Sequence, residues 1–397
     1  MDKSDPTSLP VDFSLVLGGP LYQFFRRTGL CGDDLELVTR RGIVLTLVAW
    51  LPLLILSLIE GRAYDSAVRI PFLSDIEVHA RYLVALPVLI VAELIVHRRI
   101  SPLVLRFVNT GIVGPDEMPA FRKIVQTAVR MRNSVTAELL LLGLVYTAGI
   151  WIWRSQSAAV GLSSWYKIPD GRSLNLTYAG YWYAYVSIPM LQFLFLRWYM
   201  RLGIWFWMLF RTSRLNLRLT AAHPDRAGGI GFLGKGSYAF SPILFAQGTL
   251  LSGLIASRVL FQGQHLQEFK MEAVGLISFM VLCVLGPLTM FMPLLERIKR
   301  RGLFEFGILA NRYVFGFEDK WIRGNSGDTG ELLGTGDIQS LADLGNSYGV
   351  VSDMRIVPFG LVDVGRLVAA TAAPLVPLTL TIFSLEELIS RLVKILV

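Results

Sequence analysis

The chain is short of the residues that carry most enzyme chemistry. Four histidines stand in 397 residues (His79, His97, His223 and His265), far apart along the sequence. They cannot form the multi-histidine boxes of di-iron membrane oxidases, and no His-Glu-x-x-His zinc motif occurs. Of the two cysteines, Cys31 precedes the first long apolar run and Cys283 lies inside a later one, so both read as free thiols. No Gly-x-Ser-x-Gly elbow is present. The glycines at 228–231 follow no strand-like segment, and no Lys-Ser/Thr comes after them at Walker spacing. These absences exclude α/β-hydrolase, P-loop and dinucleotide-binding chemistry, and they leave no metal, cofactor or catalytic residue to assign. Charge is scarce as well: 17% of residues are charged against 53% hydrophobic, which does not suit a soluble two-domain enzyme of this length. Nor is there an internal repeat to support the common inverted-repeat plan of secondary transporters.

What the sequence has is seven apolar stretches: Gly42–Ile59, Tyr82–Val96, Val135–Trp153, Gly180–Trp198, Tyr238–Leu260, Ala273–Leu295 and Leu361–Phe383. A hydrocarbon core of roughly 30 Å takes about 20 helical residues to cross. The expected fold class is therefore all-α, a polytopic helical membrane protein of about seven transmembrane helices. The basic residues fall on alternate connections. With the N-terminus in the cytoplasm, 25 of the 38 Lys and Arg lie inside and 8 outside, the bias that orients such proteins N-in and, for seven spans, C-out. The net charge of +8 is then mostly a topology signal, with membrane lipids as partners and no nucleic acid.

Several helices outrun the bilayer. The stretch after Gly114-Pro115 reads as one continuous helix as far as Trp153, roughly 54 Å long. Span 4 runs on through Arg211, and span 6 through Arg301 to Val314. A helix over Asp337–Met354 follows the glycine-rich stretch Gly324–Gly336. These extensions predict a cytoplasmic sub-membrane layer. Residues 1–41 are an amphipathic N-terminal segment, which either lies along the inner headgroups or packs against the ends of the spans. Residues 42–295 form a bundle of six spans with helical extensions. Residues 296–360 are a cytoplasmic helical segment with a Gly-rich loop, and 361–397 hold the seventh span and an amphipathic helix whose Ser384 and Glu387 make a capping box.

Three groups of residues are candidates for function. In the His223–Gly231 turn, His223, Asp225 and Arg226 precede Gly228 and Gly229, and successive glycine amides can form an anion nest. The alternative is an Asx-type turn in which Asp225 ties down its own loop. Within the membrane, Glu93 and Glu138 fall near the inner ends of spans 2 and 3 and Arg197 and Arg201 near that of span 4, while Asp363 and Arg366 open span 7. A lone charge at the bilayer centre costs roughly 3 kcal/mol, so these groups read as ion pairs or as an ion path. Asp343, Asn346 and Ser347 give the Asp337–Met354 helix a polar seam. Tyr and Trp crowd 165–185, which fits an interfacial belt better than a ligand cage.

At the His223–Gly231 turn, Asp337–Ser347, Met354–Phe359 and span 7, the chain resembles a family of uncharacterised bacterial integral membrane proteins. The likeness implies a bacterial inner (cytoplasmic) membrane location and no transferable activity. The leading expectation is an ion or small-solute channel or transporter, with a homo-oligomeric pore in view. The alternatives are a membrane-anchored signalling or assembly protein that binds a cytoplasmic partner and, third, a membrane-embedded enzyme using His223 and Asp225.

Overall fold

The computed structural model describes residues 13–29, 37–64, 68–159, 164–170, 173–323 and 336–381. The polar opening Met1–Pro10, Cys31, nearly all of the glycine-rich stretch after Arg323 and the Ser384–Val397 helix lie outside the described residues.

Helix follows the apolar runs. The elements are α1 (Pro20–Arg27), α2 (Val38–Ile59), α3 (Ile76–Asn109), α4 (Met118–Arg132), α5 (Val135–Ser155), α6 (178–213), α7 (Phe232–Gln262), α8 (Leu266–Ile322), α9 (Gly336–Ser352) and α10 (Leu361–Thr379). The described β structure is a small antiparallel pair, β1 (Lys167–Asp170) with β2 (Ser173–Leu176), beyond the α5 terminus.

Six of these helices, α2, α3, α5, α7, α8 and α10, are long and apolar enough to cross a membrane. Their outward faces say which solvent they meet. On α2, Ile43, Leu47, Leu51, Ile55 and Leu58 are exposed at near-helical spacing, as are Leu139, Leu140 and Trp151 on α5 and Val274 and Leu282 on α8. Stripes of that size facing water would aggregate, whereas facing acyl chains they cost nothing. The run Gly180–Trp198 lies within the continuous helix α6, where Tyr, Trp, Gln192, Arg197 and Arg201 lower its mean hydropathy below that of the six.

The uninterrupted helix expected up to Trp153 is not there. Helix α4 ends at Arg132, and Ser134, in extended conformation, starts α5 by accepting a bond from Ala137 N–H at 3.2 Å. Asn-Ser is a natural stop-and-cap pair, and the apolar run masked it. The other extensions exist. Helix α6 reaches Ser213, and α8 continues through a 3-10 stretch, Gly286–Phe291, for a total of 57 residues, about 85 Å at helical rise. Helix α9 packs back along the far part of α8. Helices α3, α6 and α7 supply most of the buried core, and the N-terminal residues Phe13–Val16 are buried among them. The described part of the N-terminal segment thus packs against the bundle.

Candidate functional site

Four of the predicted charges meet in one place. Glu93 of α3 faces Arg197 and Arg201 of α6: Arg197 Nη1 and Arg201 Nη1 both donate to Glu93 Oε1, at 3.1 and 2.8 Å. Arg197 Nε donates to Glu138 Oε1 of α5 at 3.0 Å. Residues 197 and 201 are one helical turn apart, so both guanidiniums leave α6 on the face that meets α3. The sequence reading missed two members. Arg41, counted there only as an inside charge, pairs with Glu93 Oε2 from α2, and Arg132, at the end of α4, reaches the same region. All six side chains are buried. The signal that could have found Arg41 is its place in the first turn of α2, immediately before the apolar run.

The N-terminal segment completes the cluster. Arg132 Nη1 donates to Ser14 O, Arg201 Nη2 to Val16 O at 3.3 Å and Arg197 Nη2 to Gly18 O at 3.4 Å. Leu21 N–H, in the unsatisfied first turn of α1, donates to Glu138 Oε2 at 2.8 Å. His97 Nδ1 lies 2.9 Å from Ser14 Oγ, and Ser101 Oγ donates to Phe13 O. Residues 13–19 therefore form a strap whose alternate carbonyls are held by three arginines. The Gly18-Gly19-Pro20 sequence explains how it fits. Both glycines have positive φ, 139° and 92°, and a Cβ on them would come 2.3 Å from Asn133 Oδ1 and 2.8 Å from Glu138 Oε1. Pro20 then starts α1. Arg132 lies outside the spans; burial, with the Arg197 charge beside it, pushes its guanidinium down to about 10, so it stays charged at neutral pH.

The His223 turn lies elsewhere. The amides that could cradle an anion donate to Asp225 itself: Ala227 N–H and Gly229 N–H to Oδ1 at 2.8 and 3.1 Å, Gly231 N–H to Oδ2 at 2.8 Å. Gly228, Gly229 and Arg226 adopt positive φ to make this possible. Burial raises the Asp225 carboxyl, but the amide bonds and His223 outweigh it and hold the group below the usual aspartate range. Asp225 N–H donates to His223 Nδ1 at 3.2 Å, and the exposed Arg226 reaches Asp353 at 3.4 Å. Arg355 ties the turn to the start of α10 through Asp225 O and Arg226 O. In this arrangement Asp225 organises a turn, with both carboxyl oxygens engaged by backbone amides of its own loop.

Asp363 and Arg366 do not join the cluster. Asp363 accepts Gly360 N–H at the start of α10, at 2.9 Å, and Arg366 is exposed. On α9, Asp343 and Asn346 are exposed, Ser347 is half-buried, and Gln339 bonds to Asp343 within the helix. The polar contacts between α9 and α8 come instead from Asp337, which accepts from Lys320 Nζ and Trp321 Nε1 at 2.8 and 3.0 Å. Those two bonds hold its carboxyl below the usual range. Among the described residues no group of three or more His, Cys, Asp or Glu could hold a metal ion. The aromatic crowd divides: Tyr178, Tyr181 and Tyr185 face outward, while Trp165 and Tyr183 are buried against Tyr166 and Trp153. No family model, curated protein or solved structure matches the chain.

Proposed function

We propose that the chain is a multi-pass inner-membrane protein that passes a small anionic solute, with Arg132, Arg197 and Arg201 as the selective point and the 13–19 strap as its plug. One observation carries this reading: three buried guanidiniums spend donors on neutral backbone carbonyls of the chain's own N-terminal segment. A guanidinium in a dry site bonds an anion about twice as strongly as a neutral acceptor, so an arriving anion competes with the strap for the same N–H groups. The two carboxylates favour an anion over a cation, because Glu93 and Glu138 are already engaged by arginine and a cation would have to displace it. With the N-terminus inside, as the Lys and Arg bias indicates, the plug closes the cytoplasmic end.

Proteoliposome flux of iodide tests this. Gly19→Ala, which sets a methyl against Glu138 and strains a positive φ, should release the strap and raise flux several-fold over the wild type. Adding Arg201→Gln should lower the anion-to-cation permeability ratio. Folded, strap-released protein that carries no iodide would remove the reading.

A second reading has its own support. Beyond the core, α8 exposes Phe304, Leu309, Phe315 and Ile322, and α9 exposes Ile338. A membrane-anchored assembly protein would present such a hairpin to a partner. Capture of one soluble protein by 297–359, with no flux, would favour it.

A further inference from the structure

Three of the helices carry a π-helical segment at one end of the bundle, opposite the Arg41 end: Ala80–Ala85 in α3, Val145–Gly149 in α5 and Tyr183–Ser187 in α6. A π turn inserts a residue, weakens the local ladder and recurs at functional sites. Those of α3 and α5 line one cavity, and that of α6 adjoins it through Tyr183, which Arg81 reaches. Arg81 Nη1 donates to Tyr183 Oη and Nη2 pairs with Glu77, while Tyr82 lies edge-on to Tyr183 at 6.3 Å between centroids. Beside them a partly open cavity of about 460 Å³ runs between α5 and α6, walled mainly by apolar side chains such as Leu144, Ile152, Phe195 and Leu196. A second chamber of about 560 Å³ shares Arg81, Gln247 and Leu250 with it and extends toward Phe279 of α8. These volumes fall in the range of ligand sites.

Two polar atoms in the wall of the first chamber, each covered by its neighbours, have no partner among the described residues. Tyr82 is fully buried and its hydroxyl has no hydrogen-bond partner among the described residues, and the same holds for Gln192 Oε1. A buried hydroxyl left unpaired costs roughly 1–3 kcal/mol, which an oxygen acceptor in the cavity would recover. The cavity is cut between helices that face lipid, so what reaches it comes from the bilayer. The Arg81–Glu77 pair is already neutral, so no net charge is asked of the ligand. Gly149 lets Gln192 of α6 pack directly against α5 at the chamber wall, since a Cβ there would come 2.3 Å from Gln192 Oε1.

We propose that this cavity binds an amphipathic membrane lipid, its carbonyl or hydroxyl oxygen on Tyr82 Oη and its chain along Leu144, Phe195 and Leu196. Glycerolipid esters and isoprenoid quinones share that chemistry. The probe is phosphatidylcholine with a diazirine in one acyl chain, in nanodiscs containing the full-length protein. Wild-type protein should be labelled within 144–153 and 188–196. Tyr82→Phe should cut that labelling at least threefold, and Ala148→Trp, which fills the chamber, should abolish it; labelling at the outward face of α2 should stay constant in both. Excess isoprenoid benzoquinone that removes the cavity label identifies the quinone source, and a label that persists identifies the glycerolipid. Cavity labelling no stronger than that of α2, or unchanged in both variants while they elute as folded protein, overturns the proposal. Iodide flux plays no part in this outcome, so the site stands or falls apart from the anion reading.

Discussion

The two ends of the bundle treat buried polarity in opposite ways. At the Arg41 end, each of the four arginines bonds a carboxylate or a strap carbonyl, and the apolar cavity of about 440 Å³ that adjoins Glu138 has no orphaned polar side-chain atom among the described residues of its lining. At the Arg81 end, one neutral ion pair sits beside an open chamber with an orphaned tyrosine hydroxyl and an orphaned amide oxygen. Closure by the chain's own backbone marks a site whose occupant is already present. Unmet hydrogen-bonding capacity next to space marks a site whose occupant comes from outside.

The comparison breaks most visibly at Glu93. Glu93→Ala removes the acceptor shared by Arg41, Arg197 and Arg201 and leaves buried guanidiniums uncompensated, a loss of about 3–5 kcal/mol read as a large fall in thermal midpoint and yield in detergent. Next in size is Gly19→Ala. A side chain at φ 92° facing Glu138 costs about 1–3 kcal/mol, and hydrogen exchange across 13–28 should accelerate at least tenfold while the spans stay protected. Smaller again is Asp225→Asn, which removes the charge and replaces one of the two accepting oxygens with an amide donor. Exchange at Ala227, Gly229 and Gly231 should rise several-fold at neutral pH. Because the folded-state value is depressed, the stabilisation by the ionised group is present above the ordinary aspartate value and lost as pH falls through the lower, folded one; the difference between variant and wild type should vanish over that interval. Smallest is Tyr82→Phe in lipid-free detergent. Removing a hydroxyl that has no partner should not lower the thermal midpoint, in contrast to every change at the other end.

Hydropathy made the spans legible because each helix must bury its backbone polarity internally in lipid, whatever it packs against. Glu93, Glu138, Arg197 and Arg201 stood out for the same reason, as charges inside or at the edge of apolar runs. Arg132 and the strap did not, since nothing in a polar-to-apolar N-terminal stretch announces that its carbonyls will meet arginines more than a hundred residues away. The α4–α5 break was written in Asn133-Ser134 but outweighed by the apolar residues that follow. The Arg81–Tyr82 chamber left no trace at all: an arginine at the rim of a span looks like a snorkelling side chain, and π segments carry no spacing signature that a sequence pattern would register. The Asp225 turn was visible as a motif, and both of its readings used the same glycines; only the distances separate them.

Helix α8 has one more consequence. Its 3-10 stretch, Gly286–Phe291, contains Pro287 and divides a bilayer-crossing half from the 31 residues Met292–Ile322, about 46 Å of stiff rod at helical rise. A fulcrum placed there gives mechanical gain: a tilt of about 10° would swing the distal tip, with α9 attached, by about 8 Å. Rearrangements too small to open a gap between packed spans would therefore be magnified into movements that a neighbouring molecule could register.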